Sequence, residues 1–178
     1  MKNDYSNIYS FNKKILGITV KLLKLGKIVS LPTETVYGLA ANAYSKKATK
    51  TIFRLKGRPK LNPLIIHYLN YSHAKKDVVL NKNFFKLYKK FCPGPITFVL
   101  KKSKDSQIGS IATANLDTVA IRFPNHKIIR SVLKSIKFPL AMPSANLSSA
   151  LSPVSAYDVF DEFKKKLSII IDGGMSKI

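Results

Sequence analysis

Asn12 to Gly38 reads NKKILGITVKLLKLGKIVSLPTETVYG, and three successive patterns in it decide the fold class. Ile15, Leu16, Ile18, Leu22 and Leu23 recur near helical spacing, and Gly26 follows as a helix stop. Lys27 to Leu31 is a short apolar run that predicts a strand, ended by Pro32, which cannot donate to a sheet ladder. Two hydroxyls, a carboxylate and a phenol (Thr33, Thr35, Glu34, Tyr37) come directly after it. Helix, strand, then clustered polar groups is the pattern of an open α/β sheet, where ligands sit just beyond strand ends. Taken alone, the segment fits equally well a turn whose Thr side chains bond to backbone.

The alternation continues on both sides. Ser45 resembles an N-cap for a helix reaching Leu55 and closed by Gly57. Pro63 to Leu69 reads as a strand carrying His67, and Asn83 to Phe91 as a helix. Strands are predicted at Ile96–Leu100, Thr118–Arg122 and Pro139–Met142, with a helix at His126–Ile136 between the last two. A helix at Ser155–Lys166 and a buried strand at Ser168–Ile171 complete an α/β domain with a twisted sheet.

With 178 residues, 46% of them hydrophobic, the chain is long enough for one substantial core. No apolar run reaches the ~18–20 residues of a membrane span and no signal peptide opens the sequence, so a soluble, cytoplasmic protein is expected. Cys92 is the single cysteine, which excludes internal disulfides and cysteine-cluster metal sites. The three histidines lack metal-ligand spacing, and His67 in an apolar strand fits a satisfied core residue. Thirty-one Lys and Arg against nine Asp and Glu give a net charge of +22. That charge attracts polyanions such as RNA, and it fits coding bias toward Lys just as well.

There is no Walker phosphate loop, dinucleotide-binding glycine turn or nucleophile elbow. Arg54-Leu-Lys-Gly-Arg-Pro-Lys60 instead packs four cations into seven residues at a helix end broken by Gly57 and Pro59. Helix-dipole complementarity accounts for only ~0.3–1 kcal/mol of such a cluster. Lys56 and Arg58 therefore read as a phosphate clamp, Arg58 offering a planar fork to phosphate oxygens. Pro143-Ser-Ala-Asn-Leu-Ser-Ser149 supplies neutral donors and acceptors after a strand. Arg122, a solitary cation ending an apolar strand in an acid-poor chain, requires an anion from the protein or from a ligand.

Five of these segments stand in the order and spacing of a known family: Ser30-Leu-Pro-Thr-Glu-Thr-Val-Tyr-Gly-Leu-Ala40, Lys56-Gly-Arg-Pro59 with Asn62-Pro-Leu-Ile-Ile-His67, Pro93-Gly-Pro-Ile-Thr97, Thr118-Val-Ala-Ile-Arg122 and Pro143-Ser-Ala-Asn146. The chain resembles the YrdC-like threonylcarbamoyl-adenylate synthases from about residue 9 to Gly174. The resemblance implies a single YrdC-like domain over residues 1–178, a mixed sheet around a basic concave site. It implies a nucleotidyltransferase that condenses L-threonine, bicarbonate and ATP, with magnesium, into L-threonylcarbamoyladenylate and pyrophosphate. That product serves modification of tRNA adenosine 37 by a downstream threonylcarbamoyl-transferase machinery. Carried over by motif, Thr35, His67, Arg122 and Ser144 would contact threonine, with Arg122 on its carboxylate. Lys56, Arg58, Asn62, Thr118, Asn146 and Ser152 would contact ATP, with Lys56 and Arg58 offsetting charge on the phosphates. Longer members continue past the Asp-Gly-Gly turn with a Gly-x-x-Ser-Thr-Val segment, a continuation expected here and missing from the sequence. The competing readings are a non-catalytic double-stranded RNA or tRNA-binding module, and a carbamoyl-adenylate-handling domain of the hydrogenase-maturation kind.

Overall fold

The structure is a computed structural model describing residues 5–177. Its strands are β1 (Ile8–Ser10), β2 (Val29–Pro32), β3 (Tyr37–Asn42), β4 (Ile65–His67), β5 (Thr97–Lys101), β6 (Thr118–Arg122), β7 (Leu140–Ala141) and β8 (Ile170–Asp172). Its helices are α1 (Lys13–Lys24), α2 (Lys46–Lys56), α3 (Tyr71–Ala74), α4 (Lys82–Phe91), α5 (Lys127–Ser135) and α6 (Ala156–Phe163). The strands form one mixed sheet in the order β1-β8-β2-β3-β7-β4-β6-β5.

Local chemistry starts the helices where the sequence places them. The side chains of Asn12, Ser45, Asn70, Asn81 and Ser155 each accept a hydrogen bond from a backbone N–H three residues on. Ser155 and Asp158 complete a capping box. At the other end of α2, Gly57 adopts φ +58 and its N–H returns to the last turn, a conformation glycine enters without steric cost.

The two sheet faces are covered unequally. On one, Leu39, Ala41, Ile52, Phe53, Ile66, Phe84, Ile121 and Phe160 form a core beneath α2, α4 and α6. On the other, Ile15, Leu23, Leu31, Ala40, Ile128, Val132 and Leu140 form a second core beneath α1 and α5. That second layer serves the β8-β2-β3 part of the sheet. Toward β5 the same face opens: strand alternation aligns His67, Arg122 and Thr97 in one cross-strand row and Ile65, Ala120 and Val99 in the next, His67 on β4 being buried and Val99 on β5 67% exposed.

The sequence reading misses two strands. It ends its polar segment at Gly38 and assigns Leu39–Asn42 to no element, whereas the chain reverses over Thr33–Val36 and returns as β3, antiparallel to β2. Buried on both faces, Leu39, Ala40 and Ala41 lack the period-two alternation that would betray a strand. β1, three residues long beside β8, gives no periodicity to read. No helix among the described residues is long and apolar enough to cross a membrane.

Candidate active site

The reversal between β2 and β3 makes the first wall of the site. Thr33 Oγ1 accepts from the N–H groups of Thr35 and Val36 and donates to the Val36 carbonyl at 2.7 Å, so it spends its hydroxyl on the turn itself. Thr35 instead turns its hydroxyl to Arg122, whose Nη2 donates to it at 3.0 Å. The backbone-bonded turn read from the sequence is thus present at Thr33, while Thr35 faces Arg122.

Arg122 finds its anion in the same turn. Nη2 stands 2.7 Å from Glu34 Oε1, and Glu34 Oε2 accepts from the Asn125 backbone N–H at 3.0 Å. The two side chains are only 11% and 19% exposed, so this contact is better insulated than a surface ion pair. The Arg122 Nε is buried without a hydrogen-bond partner. Beside it in register, His67 is buried, and burial together with the Arg122 charge pulls its imidazole down to about 3. A neutral ring results, with Nδ1 3.3 Å from the Ile65 carbonyl.

Thr35, His67, Arg122, Ser144 and Arg58 line one cavity of about 230 Å³, closed by Gly38 and Met142. All four side chains assigned to threonine by motif thus converge on it. Arg58 reaches it from the α2 end, its Nε and Nη2 donating to the Asn62 and Pro63 carbonyls at 3.1 and 2.9 Å.

Lys56, the other half of the clamp read from the sequence, is held within the fold. It is buried, and its Nζ donates to the carbonyls of Ser144, at 2.7 Å, and Asn146, while its own carbonyl accepts from Ser148 N–H at 2.9 Å. The ammonium thereby ties the 143–149 loop to α2. Burial first, and the Arg58 charge second, lower its pKa to about 8. Asn146 donates to the Leu147 and Ala150 carbonyls, both at 2.7 Å, and its Oδ1 is buried without a partner. Thr118 lies on the same face of β6 as Arg122, at the other end of the strand, while Asn62 and Ser152 are exposed. None of Asn62, Thr118, Asn146 and Ser152 lines the cavity around Arg122.

Sequence reasoning gave no role to Glu34 and Tyr37. Glu34 carried one signal, being the carboxylate of a polar segment in a chain where Arg122 needed an anion. Tyr37 carried none: its hydroxyl donates to the Gly174 carbonyl at 2.7 Å and accepts from Gly173 N–H at 3.0 Å, so it clasps the segment after β8. Burial raises this phenol to about 12.

No trio of His, Cys, Asp or Glu converges among the described residues. Glu34, the carboxylate nearest the cavity, is already engaged.

Comparison with known proteins places this geometry in context. The Sua5, yciO and yrdC family model, described as telomere recombination, matches residues 21–178. The threonylcarbamoyl-AMP synthase of Pyrococcus abyssi is 44% identical over 166 residues, covering 92% of this chain and 48% of that one. The Bacillus subtilis protein of the same name is 38% identical over 176 residues, covering 98% of this chain and 51% of that one. The chain spans about half the length of these curated relatives. Among solved structures, P. abyssi Sua5 complexed with L-threonine superimposes with a TM-score of 0.92 at 40% identity, covering 96% of this chain and 51% of that one.

Proposed function

Because the chain belongs to the Sua5, yciO and yrdC family, we propose that it is an L-threonylcarbamoyladenylate synthase. The observation that carries the reading is the convergence of Thr35, His67, Arg122 and Ser144 on one small cavity, with Arg58 at its edge. Its size suits an amino acid, and the Arg122 guanidinium that lines it suits a carboxylate. Support also comes from the relatives named threonylcarbamoyl-AMP synthase and from the threonine complex of P. abyssi Sua5.

In the proposed reaction the neutral amine of threonine adds to CO2 derived from bicarbonate, losing a proton to give a carbamate. A carbamate oxygen then forms a bond to the α-phosphorus of ATP as the bond to pyrophosphate breaks. The protein forms no covalent bond. Arg122 and Thr35 hold the carboxylate end, neutral His67 and Ser144 supply hydrogen bonds, and Arg58 balances charge gathering on the phosphates. Lys56 acts through the loop it anchors, a positioning role in place of the direct phosphate contact read from the sequence. Asn62, Thr118, Asn146 and Ser152 would contact the nucleotide, as the family motifs imply. Magnesium would enter with ATP, and no step requires a protein ligand to it.

The product is an activated acyl-phosphate anhydride, so it calls for a transferase that passes the threonylcarbamoyl group to tRNA in the cytoplasm. Affinity of the basic surface for tRNA belongs to the same reading. Titration calorimetry tests the threonine pocket: L-threonine should bind at least tenfold tighter than its near-isostere L-valine, because valine leaves buried polar groups unpaired. Arg122→Leu should abolish threonine binding and spare ATP affinity. Equal affinity for the two amino acids, or undiminished threonine binding by the variant, contradicts the assignment.

A further inference from the structure

Tyr37 joins two walls of the threonine cavity without lining it. It follows the Thr33–Val36 turn, which gives the cavity Thr33, Thr35 and Val36, and its backbone meets the loop that gives it Pro143 and Ser144. The Ala145 N–H donates to the Tyr37 carbonyl at 2.8 Å, and the Tyr37 N–H donates to the Pro153 carbonyl at 2.9 Å. Tyr37 is fully buried, and its hydroxyl holds the Gly173 N–H and the Gly174 carbonyl. The segment so held comes back to the turn: Ser176 Oγ donates to the Thr33 carbonyl at 3.0 Å, and the Ser176 N–H to the Val154 carbonyl at 2.8 Å. It is also closely seated, since a Cβ on Gly173 would lie 2.6 Å from Pro32 Cγ and 3.0 Å from His126 Cε1. Thr33 passes this restraint on. Its Oγ1 accepts from the Thr35 and Val36 N–H groups, so a shift at Thr33 moves Thr35, whose hydroxyl meets Arg122.

We propose that Tyr37 is a positioning residue for the amino-acid substrate: through its hydroxyl, Gly173–Ser176 works as a strap that holds the Thr33–Val36 turn against the 143–145 loop and so sets the spacing of Thr35 and Ser144 across the cavity. The inference rests on the threonine-pocket reading. A misplacement of ~1 Å at such a contact costs up to ~10²-fold, so a hydroxyl that never touches substrate controls how well substrate is held.

The test is calorimetry on the full chain, with L-threonine and separately with ATP, using Tyr37→Phe and Ser176→Ala, which each remove one hydroxyl and keep the surrounding packing. Each variant should weaken threonine about tenfold and leave ATP affinity within about twofold. Because both act through one strap, the double variant should lose no more than about twice what the stronger single variant loses. Hydrogen exchange over residues 33–38 should quicken in both. Thr19→Val, which removes a buried hydroxyl bonded within α1, is the control and should alter neither affinity. Threonine affinity at the wild-type level in either variant overturns the inference. So does a loss shared equally by threonine and ATP, the mark of a merely structural Tyr37, and so do single effects that multiply in the double variant. Ser176→Ala alone decides if Tyr37→Phe does not fold. Wild-type protein that binds no threonine defeats the threonine-pocket reading itself.

Discussion

His67 and Lys56 show how burial sets the working state of a side chain. His67, held near 3 by burial and by Arg122, is neutral throughout the physiological range, so it serves as a hydrogen-bonding group with no proton to exchange there. Threonine affinity should accordingly stay flat between pH 8 and 5.5; a threefold or larger change centred near 6.5 would mean an imidazole that titrates normally. The same depression acts on stability. Unfolded chain binds a proton near 6.5 that folded chain refuses until about 3, so stability falls as pH drops through that window, and His67→Asn should flatten the acid limb of a urea-unfolding series. Lys56 gives the opposite flank. Its folded pKa of about 8 lies below the ordinary 10.5, so folded protein holds fewer protons between those values and stability rises with pH across them. Lys56→Met should erase that rise. It should also lower turnover tenfold or more, because the Ser144 and Asn146 carbonyls lose the donor that fixes their loop.

Among the elements, β3 and the loop after β7 are where sequence and structure part. Helices capped by Asn12, Ser45 and Ser155 were legible because each cap is one residue acting on its own neighbours. The threonine-side residues were legible through motif order, and their meeting at one cavity follows from pairing His67 against Arg122. The Glu34–Arg122 pair was not, since 88 residues separate its members and only the return of β3 fixes the turn opposite β6. The burial of Lys56 was not legible for a related reason: its partners are backbone carbonyls, which no side-chain pattern announces. Gly38 is the point at which β3 and that loop meet. A Cβ there would lie 2.5 Å from Met142 Cγ and 3.0 Å from the Pro143 carbonyl oxygen. Gly38→Ala should therefore cost ~1–3 kcal/mol, lowering the unfolding midpoint by ~2–12 °C, and weaken threonine binding as Met142 is pushed into the cavity. An unchanged melting temperature would show that the loop yields freely.

Over the whole molecule the charge is unevenly placed. Away from the cavity, Lys24, Lys27, Lys47, Arg54 and Lys166 line a groove of about 590 Å³ between α1, α2 and the turn after α6, and no acidic side chain lines it. If this surface engages RNA phosphates without reading sequence, affinity for a tRNA should fall with salt at a log-log slope of roughly −0.7 to −0.9 per phosphate. Replacing Lys24, Lys27 and Lys47 by Gln should flatten the slope more than replacing Lys82, Lys86 and Lys89 on α4. Equal effects would trace the +22 charge to coding bias. None of this bears on the central claim, which concerns bond formation at the cavity. Its most direct test is to incubate the purified chain with ATP, magnesium, L-threonine and ¹³C-bicarbonate and follow the products by mass spectrometry and pyrophosphate release. Labelled L-threonylcarbamoyladenylate should form, one pyrophosphate for each, only when threonine and bicarbonate are both present, and Arg58→Ala should reduce it ~10²-fold or more. Pyrophosphate release independent of threonine, or threonine binding with no labelled adenylate, would contradict the account.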